Sequence, residues 1–266
     1  VKIFVFGSTG MLGTYVSKYF SSKGYEVVPV SRKNIDITKI TDKISMSSTI
    51  GVGDIVINCA GLIKQRAGTT EYDFIKVNTV FPHMLATTCK AKGAMLIHVS
   101  TDCVFDGLSG GYNEDDLHNA IDIYGRSKSL GEPSNTTVIR TSIIGEEKDN
   151  FLSLLEWVKS NRDCTINGFT NHYWNGITCL KFAEICEYII ENNLFWSSVK
   201  HIFSPNTVSK YELVKLISDI YGLNINVVPI ECQNKCDRSL TTIRKSIIIP
   251  VEDLKIQIQK MKNFKL

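Results

Sequence analysis

The sequence predicts an α/β chain: a doubly wound parallel sheet with a smaller C-terminal substrate-binding lobe. Three observations carry this. Short apolar runs alternate with helical stretches through the first half, glycines crowd the turn after the first run, and the rhythm loosens after about residue 145. "KIFVF" (2–6) is β-branched and aromatic enough for a buried strand, and "MLGTYVSKYFSSKG" follows at helical spacing up to a stop at Gly24. "YEVVPV" (25–30), "DIVINCA" (54–60) and "AMLIHVS" (94–100) read as further strands, with one helix over roughly 71–92 before the last. A helix around Tyr124 and a strand "TTVIRTS" (136–142) complete the regular part. Beyond it come a helix at 150–160, an aromatic stretch "NGFTNHYWNGITC", a helix near 179–193 and a strand at 200–204. An amphipathic helix at 209–222 starts at Ser209 and ends at Gly222. Residues 1–148 and 175–204 are assigned to the sheet domain, and 149–174 and 205–266 to the lobe.

Composition excludes several classes. A net charge of +3 over 266 residues does not favour nucleic acid, and the C-terminal lysines read as a solvated face. No apolar run reaches the ~18 residues of a membrane span, and the opening residues are too short and glycine-rich for a secretion signal. The eight cysteines are scattered without a C-x-x-C pair, so they read as reduced, mostly buried thiols in a cytoplasmic protein with no metal cluster. "NTT" at 135–137 matches a glycosylation acceptor by chance, and homodimerisation is the expected assembly.

"GSTGMLG" places Gly7, Ser8, Thr9, Gly10, Met11, Leu12 and Gly13 between the first strand and the first helix. A pyrophosphate needs a tight turn, amides free of a Cβ, and a helix N-terminus with unpaired N–H groups. The spacing is G-x-x-G-x-x-G, and its position points to a Rossmann-like dinucleotide site. After the second strand come Ser31, Arg32 and Lys33, with Asp36 and Ile37 later. A basic fork there suits a 2′-phosphate, so NADPH is expected, with NADH as the alternative. Cys59, Ala60 and Gly61 end the third strand with small residues against which a nucleotide can lie flat.

Tyr-x-x-x-Lys occurs four times, at Tyr19–Lys23, Tyr72–Lys76, Tyr124–Lys128 and Tyr211–Lys215. Only Tyr124–Lys128 follows a strand whose carboxyl end carries hydroxyls, Ser100 and Thr101, where open parallel sheets bind ligands. The other three read as packing and solvated faces. Reducing a ketone leaves an alkoxide that needs a proton. A phenol can supply it, an adjacent ammonium is expected to make that phenol more acidic, and a hydroxyl can steady the developing charge. His98, on the same strand, reads as a core or cofactor-lining residue rather than a metal ligand.

With "GSTGMLG", "STDCVFDG", "GYNEDD", "YGRSKSLGE", "VIRTS" and "DRSLTT" in this order, the chain resembles extended short-chain dehydrogenase/reductases. Within them it is most similar to dTDP-4-dehydrorhamnose reductases and their sugar-nucleotide relatives. The resemblance implies a triad of Thr101, Tyr124 and Lys128, with Asn78 at the position that often completes a proton relay. It also implies a nicotinamide cofactor and a nucleoside-diphosphate 4-keto-6-deoxysugar reduced at C4. Related dehydratases carry an acid after Ser-Thr-Asp; here Cys103 stands there, which argues against dehydration. The segment "LIKQRAGTTEYDF" departs from the usual reductase continuation, leaving open UDP against dTDP and a 2-acetamido group at C2. Substrate contacts are expected from Lys64, Gln65, Thr101, Asp102, Val104, Phe105, Tyr173, Trp174, Asn175 and Arg238. The alternatives are a regulatory binding subunit of the same fold and a bifunctional epimerase–reductase.

Overall fold

A computed structural model describes residues 1–40, 49–64, 68–149 and 151–266. The elements β1 (Lys2–Phe6), α1 (Met11–Ser22), β2 (Glu26–Val30), β3 (Ile55–Asn58), α2 (Glu71–Phe74), α3 (Phe81–Lys92), β4 (Met95–Thr101), α4 (Ile123–Leu130) and β5 (Thr137–Thr141) give the expected alternation. After them come β6 (Ile143–Ile144), α5 (Leu154–Ser160), β7 (Thr165–Phe169), β8 (His172–Trp174), β9 (Ile177–Thr178) and α6 (Cys179–Glu191). The chain finishes with β10 (Ser198–His201), β11 (Val208–Ser209), α7 (Lys210–Tyr221), β12 (Asn226–Ile230), β13 (Cys236–Asp237) and α8 (Leu254–Asn263).

Six strands form one sheet in the order β10-β5-β4-β3-β1-β2, with every neighbouring pair parallel. The strands are apolar on both faces, as burial under two helix layers demands. Ile3 and Val5 of β1 join α1, α6 and α8 in the larger core, whereas Phe4 and Phe6 pack with Phe81, Leu85 and Cys89 of α3. The chain runs from β1 to β2 on one side and then crosses to β3 on the other. That reversal opens a crevice at the carboxyl edge. Phe6 pairs with both Val30 and Asn58, so Gly7, Ser31 and Cys59 all leave the sheet at that edge.

The sequence reading needs four adjustments. The helix expected over 71–92 contains a π-helical turn, Ile75–Val80, between α2 and α3. The expected start at 150 moves to Leu154, because the Ser153 side chain accepts a hydrogen bond from Glu156 N and caps the helix there. The strand expected at 200–204 is Ser198–His201, held in register by Thr137–Arg140. The small sheets β11-β8-β13 and β12-β7 were not foreseen; their strands have two to five residues, too few for a period to register.

The C-terminal lysines do face solvent, but α8 is also structural, burying Leu254, Gln257, Ile258 and Met261. The eight cysteines are free, yet only Cys89, Cys179 and Cys186 are fully buried, fewer than expected, and Cys164 is exposed. No helix among the described residues is long and apolar enough to cross a membrane.

Candidate active site

Gly7 has φ +74°, and its amide donates to Val30 O at 2.9 Å. A Cβ at Gly7 would lie 2.7 Å from Ala60 Cα, so the glycine turn presses directly on the end of β3. A Cβ at Gly13 would lie 2.1 Å from Gly7 O, so helix and strand approach as closely as glycine allows. Gly10 is the N-cap of α1, makes no side-chain cap and is followed by no acid in the first turn. The first amides of α1, at Met11, Leu12 and Gly13, therefore keep donors and partial positive charge for an anion. Leu12 offers backbone only, since its side chain is in the core. Ser8 is buried beneath the turn and Thr9 is at its exposed rim. A glycine turn packed this tightly, with the first amides of α1 beyond it, fits a dinucleotide pyrophosphate.

At the end of β2, Arg32 and Lys33 are exposed, and Ser31 Oγ donates to Asn34 Oδ1 at 2.8 Å. Asp36 is committed elsewhere: its Oδ1 accepts from Thr38 N and Thr38 Oγ1 at 3.1 and 2.7 Å. The acid that would bind an unphosphorylated ribose is thus engaged, and the free groups are basic. Ile37 joins the apolar cluster of Leu62, Phe74 and Val77, against which Tyr124 also packs. Cys59 and Gly61 flank Ala60 beneath the cradle, and burial pushes the Cys59 thiol up while nearby Lys128 opposes.

Thr101 ends β4, and Tyr124 and Lys128 lie one turn apart on α4. Asp122 caps that helix by accepting from Gly125 N at 2.9 Å. A Cβ at Gly125 would stand 2.2 Å from Cys103 O, so only glycine lets α4 come this close to the turn after β4. The approach brings the Tyr124 phenol near the Thr101 side chain, whose influence opposes the rise in its pKa. Lys128 Nζ donates to Val99 O at 2.7 Å and is buried. Sequence reasoning expected its ammonium to acidify the phenol. Instead burial dominates: it pushes Tyr124 up, against the influence of nearby Thr101, and pushes Lys128 down to about 8. Desolvation shifts both groups towards their uncharged forms, although Lys128 stays mostly charged at pH 7.

Asn78 reaches the site from the π turn, but as a brace. Its Oδ1 accepts from Leu62 N at 2.8 Å, and its Nδ2 donates to Leu62 O and Ser127 Oγ, each at 3.1 Å. It ties the loop after β3 to the tyrosine helix, and its amide is fully used in doing so. Ser100 is likewise spent: its hydroxyl donates to Glu132, whose carboxylate pairs with the buried Arg140 at 2.6 Å. That places Ser100 in a structural network rather than on a cofactor.

Several expected substrate contacts are corrected. Val104 and Phe105 are fully buried, because the short turn Asp102–Val104 folds the chain inward and stacks Phe105 on Tyr112 at 4.3 Å. Trp174 is core packing. Asn175 exchanges hydrogen bonds of 2.8 and 2.9 Å with the Leu240 backbone. Lys64 is engaged at 2.7 Å with Asp122. Gln65 lies outside the described residues. Asp102 is buried beside Thr101, 3.1 Å from its hydroxyl, and burial raises its pKa against the pull of Arg238. Tyr173 is 43% exposed. Arg238 donates to Phe105 O and Asp106 O at 2.9 and 3.1 Å, which fixes its guanidinium over the turn after Thr101.

The buried Cys103 thiol is pushed up to about 12, as a packed rather than reactive group should be. His98 is fully buried, with Nδ1 3.0 Å from Asn58 Nδ2, and no His/Cys/Asp/Glu cluster suited to a metal occurs among the described residues. The remaining Tyr–Lys pairs behave as packing and surface: Tyr19 donates to Glu187, Lys76 binds Thr38 O at 2.7 Å, and Lys215 is exposed. Asp122, which caps the tyrosine helix, was not singled out from the sequence.

The fold is that of the extended short-chain dehydrogenase/reductases. Over residues 1–242 the sequence matches the family described as RmlD substrate binding domain, and the chain belongs to that family. A dTDP-4-dehydrorhamnose reductase of Mycolicibacterium smegmatis is 31% identical over 165 residues, which are 61% of this chain and 47% of that protein. The alignment thus spans about half the length of that relative. Methionine adenosyltransferase 2 subunit beta of Danio rerio is 28% identical over 84% of this chain and 74% of its own. A dTDP-4-dehydrorhamnose reductase of Bacillus anthracis, solved in complex with NADP, superposes with a TM-score of 0.83 at 21% identity, over 98% of each chain.

Proposed function

We propose that this protein is an NADPH-dependent oxidoreductase of nucleotide-sugar biosynthesis. It reduces the C4 ketone of a nucleoside-diphosphate 4-keto-6-deoxyhexose, of the dTDP- or UDP-4-dehydrorhamnose type or its 2-acetamido analogue. The observation that carries the reading is the packing of the Tyr124–Lys128 helix, through Gly125, onto the turn that follows Thr101, at the same sheet edge as the glycine turn. The cradle amides, with Arg32 and Lys33, would hold NADPH, which supplies hydride when bound. Tyr124 hydrogen-bonds the carbonyl oxygen, joined by Thr101 once its hydroxyl turns away from Asp102, and Tyr124 delivers its phenolic proton as charge develops there. A phenol kept protonated by burial is poised to act as that acid. Lys128 places a cation behind the phenol and steadies the phenolate it becomes. Asn78 holds the loop and α4 in register. Of the segments 149–174 and 205–266 assigned to the sugar-nucleotide lobe, α8 packs instead into the core of the sheet, and a cytoplasmic setting accords with free cysteines.

The test is oxidation of NADPH, followed by absorbance, on UDP- and dTDP-linked 4-keto sugars with product identification by NMR. Turnover should need the keto-sugar, and Tyr124→Phe should lower kcat by about 10²–10⁴-fold while leaving NADPH binding intact. Undiminished turnover in that variant would remove Tyr124 from the role. The similarity to a methionine adenosyltransferase regulatory subunit supports a second reading, a binding subunit with the same fold. Capture of a stoichiometric partner without turnover on any keto-sugar would select it.

A further inference from the structure

We infer that Lys210 anchors the substrate of this site, holding the diphosphate of the nucleoside-diphosphate sugar together with Arg238. The inference deepens the proposed reading and takes the sugar nucleotide from it. Its basis is the small sheet β11-β8-β13. Ser209 of β11 and Asp237 of β13 both pair with Tyr173 of β8, one on each side. Lys210 and Arg238, each the next residue along, therefore leave the sheet on opposite flanks of Tyr173. Arg238 is pinned to the carbonyls of Phe105 and Asp106, so this assembly sits over the turn that follows Thr101. Asp102 and Cys103 of that turn are electrostatic neighbours of both cations.

Lys210 is only partly exposed, and no described carboxylate lies within ion-pair distance of its ammonium. Burial accordingly draws its pKa down, with Asp102 opposing. The nearby acids are otherwise occupied: Asp106 accepts from Leu108 N and the Tyr112 hydroxyl, Asp237 from Ser239 N, and Asp122 pairs with Lys64. Asp102 is the carboxylate nearest in influence to Lys210, and it is itself buried, whereas Arg238 also has Asp106 and Asp122 nearby. Lys210 thus brings an ammonium with no ion pair among the described residues beside the half-exposed ring of Tyr173. The start of α7 is not the receptor, because Ser209 and Glu212 already cap it reciprocally. Two cations and a flat ring fit a diphosphate and the sugar or base attached to it. A neutral hydroxyl would not repay a desolvated ammonium.

The experiment measures UDP and dTDP binding by calorimetry, and kcat/KM on the keto-sugar nucleotide, in the parent, Lys210→Met, Lys210→Arg and Lys215→Met. Lys210→Met should weaken nucleoside diphosphate binding on the order of tenfold or more, Lys210→Arg should retain most of it, and the solvent-facing Lys215→Met should match the parent. NADPH affinity should not change in any variant. Parental affinity for both diphosphates in Lys210→Met overturns the inference, as does a parent that binds neither. Diphosphate binding that depends on Lys210 in a protein without turnover keeps this subsite and sinks the reductase reading instead. Turnover with diphosphate affinity indifferent to Lys210 does the reverse.

Discussion

The pH dependence of turnover separates two accounts of the Tyr124–Lys128 pair. If the ammonium acidified the phenol, Tyr124 would lose its proton near neutrality and a reductase would fail as the tyrosinate formed. The structure reverses the order of titration: burial raises Tyr124 and lowers Lys128 to about 8. With that value Lys128 is charged in roughly nine-tenths of molecules at pH 7 and one-tenth at pH 9. Turnover that needs the ammonium should therefore fall by about tenfold per pH unit above 8. Tyr124 should stay protonated throughout. The assay is a pH profile of kcat/KM from 6 to 10, paired with a tyrosinate absorbance titration of the parent against Tyr124→Phe. An alkaline limb near 8 with no tyrosinate difference below pH 10 is the expected result. A limb that coincides with tyrosinate appearance would refute the reasoning, and so would a flat profile.

The same shift bears on stability. The folded chain binds the Lys128 proton less tightly than the unfolded one, so between about pH 8 and 10.5 the unfolded state holds more protons and this group adds stability as pH rises. At pH 7 its charge costs roughly 3 kcal/mol, offset in part by the bond to Val99 O. Lys128→Met should then abolish turnover without lowering Tm, and a drop of more than about 5 °C would contradict that balance. Gly125→Ala forces a methyl to within 2.2 Å of Cys103 O, so α4 must retreat from Thr101; kcat should fall at least tenfold with NADPH affinity retained, as fluorescence titration can check. Replacing Arg32 and Lys33 with Ser should raise the KM for NADPH on the order of tenfold and leave that for NADH nearly unchanged; equal effects on both would place the 2′-phosphate elsewhere. Glu252 is held at about 2, where burial opposes but hydrogen bonds from Lys181 and Lys260 prevail. Its stabilisation is complete above about pH 5 and disappears as pH falls through 2. Glu252→Gln should cost about 1 kcal/mol at pH 7 in a urea titration and nothing measurable at pH 2.

The cofactor half of the site was legible in the sequence because its signals are local. A strand, three glycines and a helix within a dozen residues can form only a few turns, and the structure builds the cradle that those residues imply. The tyrosine helix was legible for a related reason: spacing along one helix fixes Tyr124 and Lys128 on one face. The substrate half was not. Val104, Phe105, Trp174 and Asn175 stand beside chemical residues in sequence, yet the short turn at Asp102 and the Leu240 backbone take them into the core. Ser100 and Asn78 carry suitable groups, but Glu132, Leu62 and Ser127 consume them.

Local covalent geometry and apolar periodicity were enough to specify the parallel sheet, the glycine cradle and the placing of a phenol and an amine on a common helix face. Tertiary packing alone settled which groups remain free to act and how they ionise. Burial is a property of the assembled chain: it makes Lys128 the weaker base and Tyr124 the weaker acid, and it brings Lys210 beside Asp102 and Arg238, which nothing in the local sequence signals.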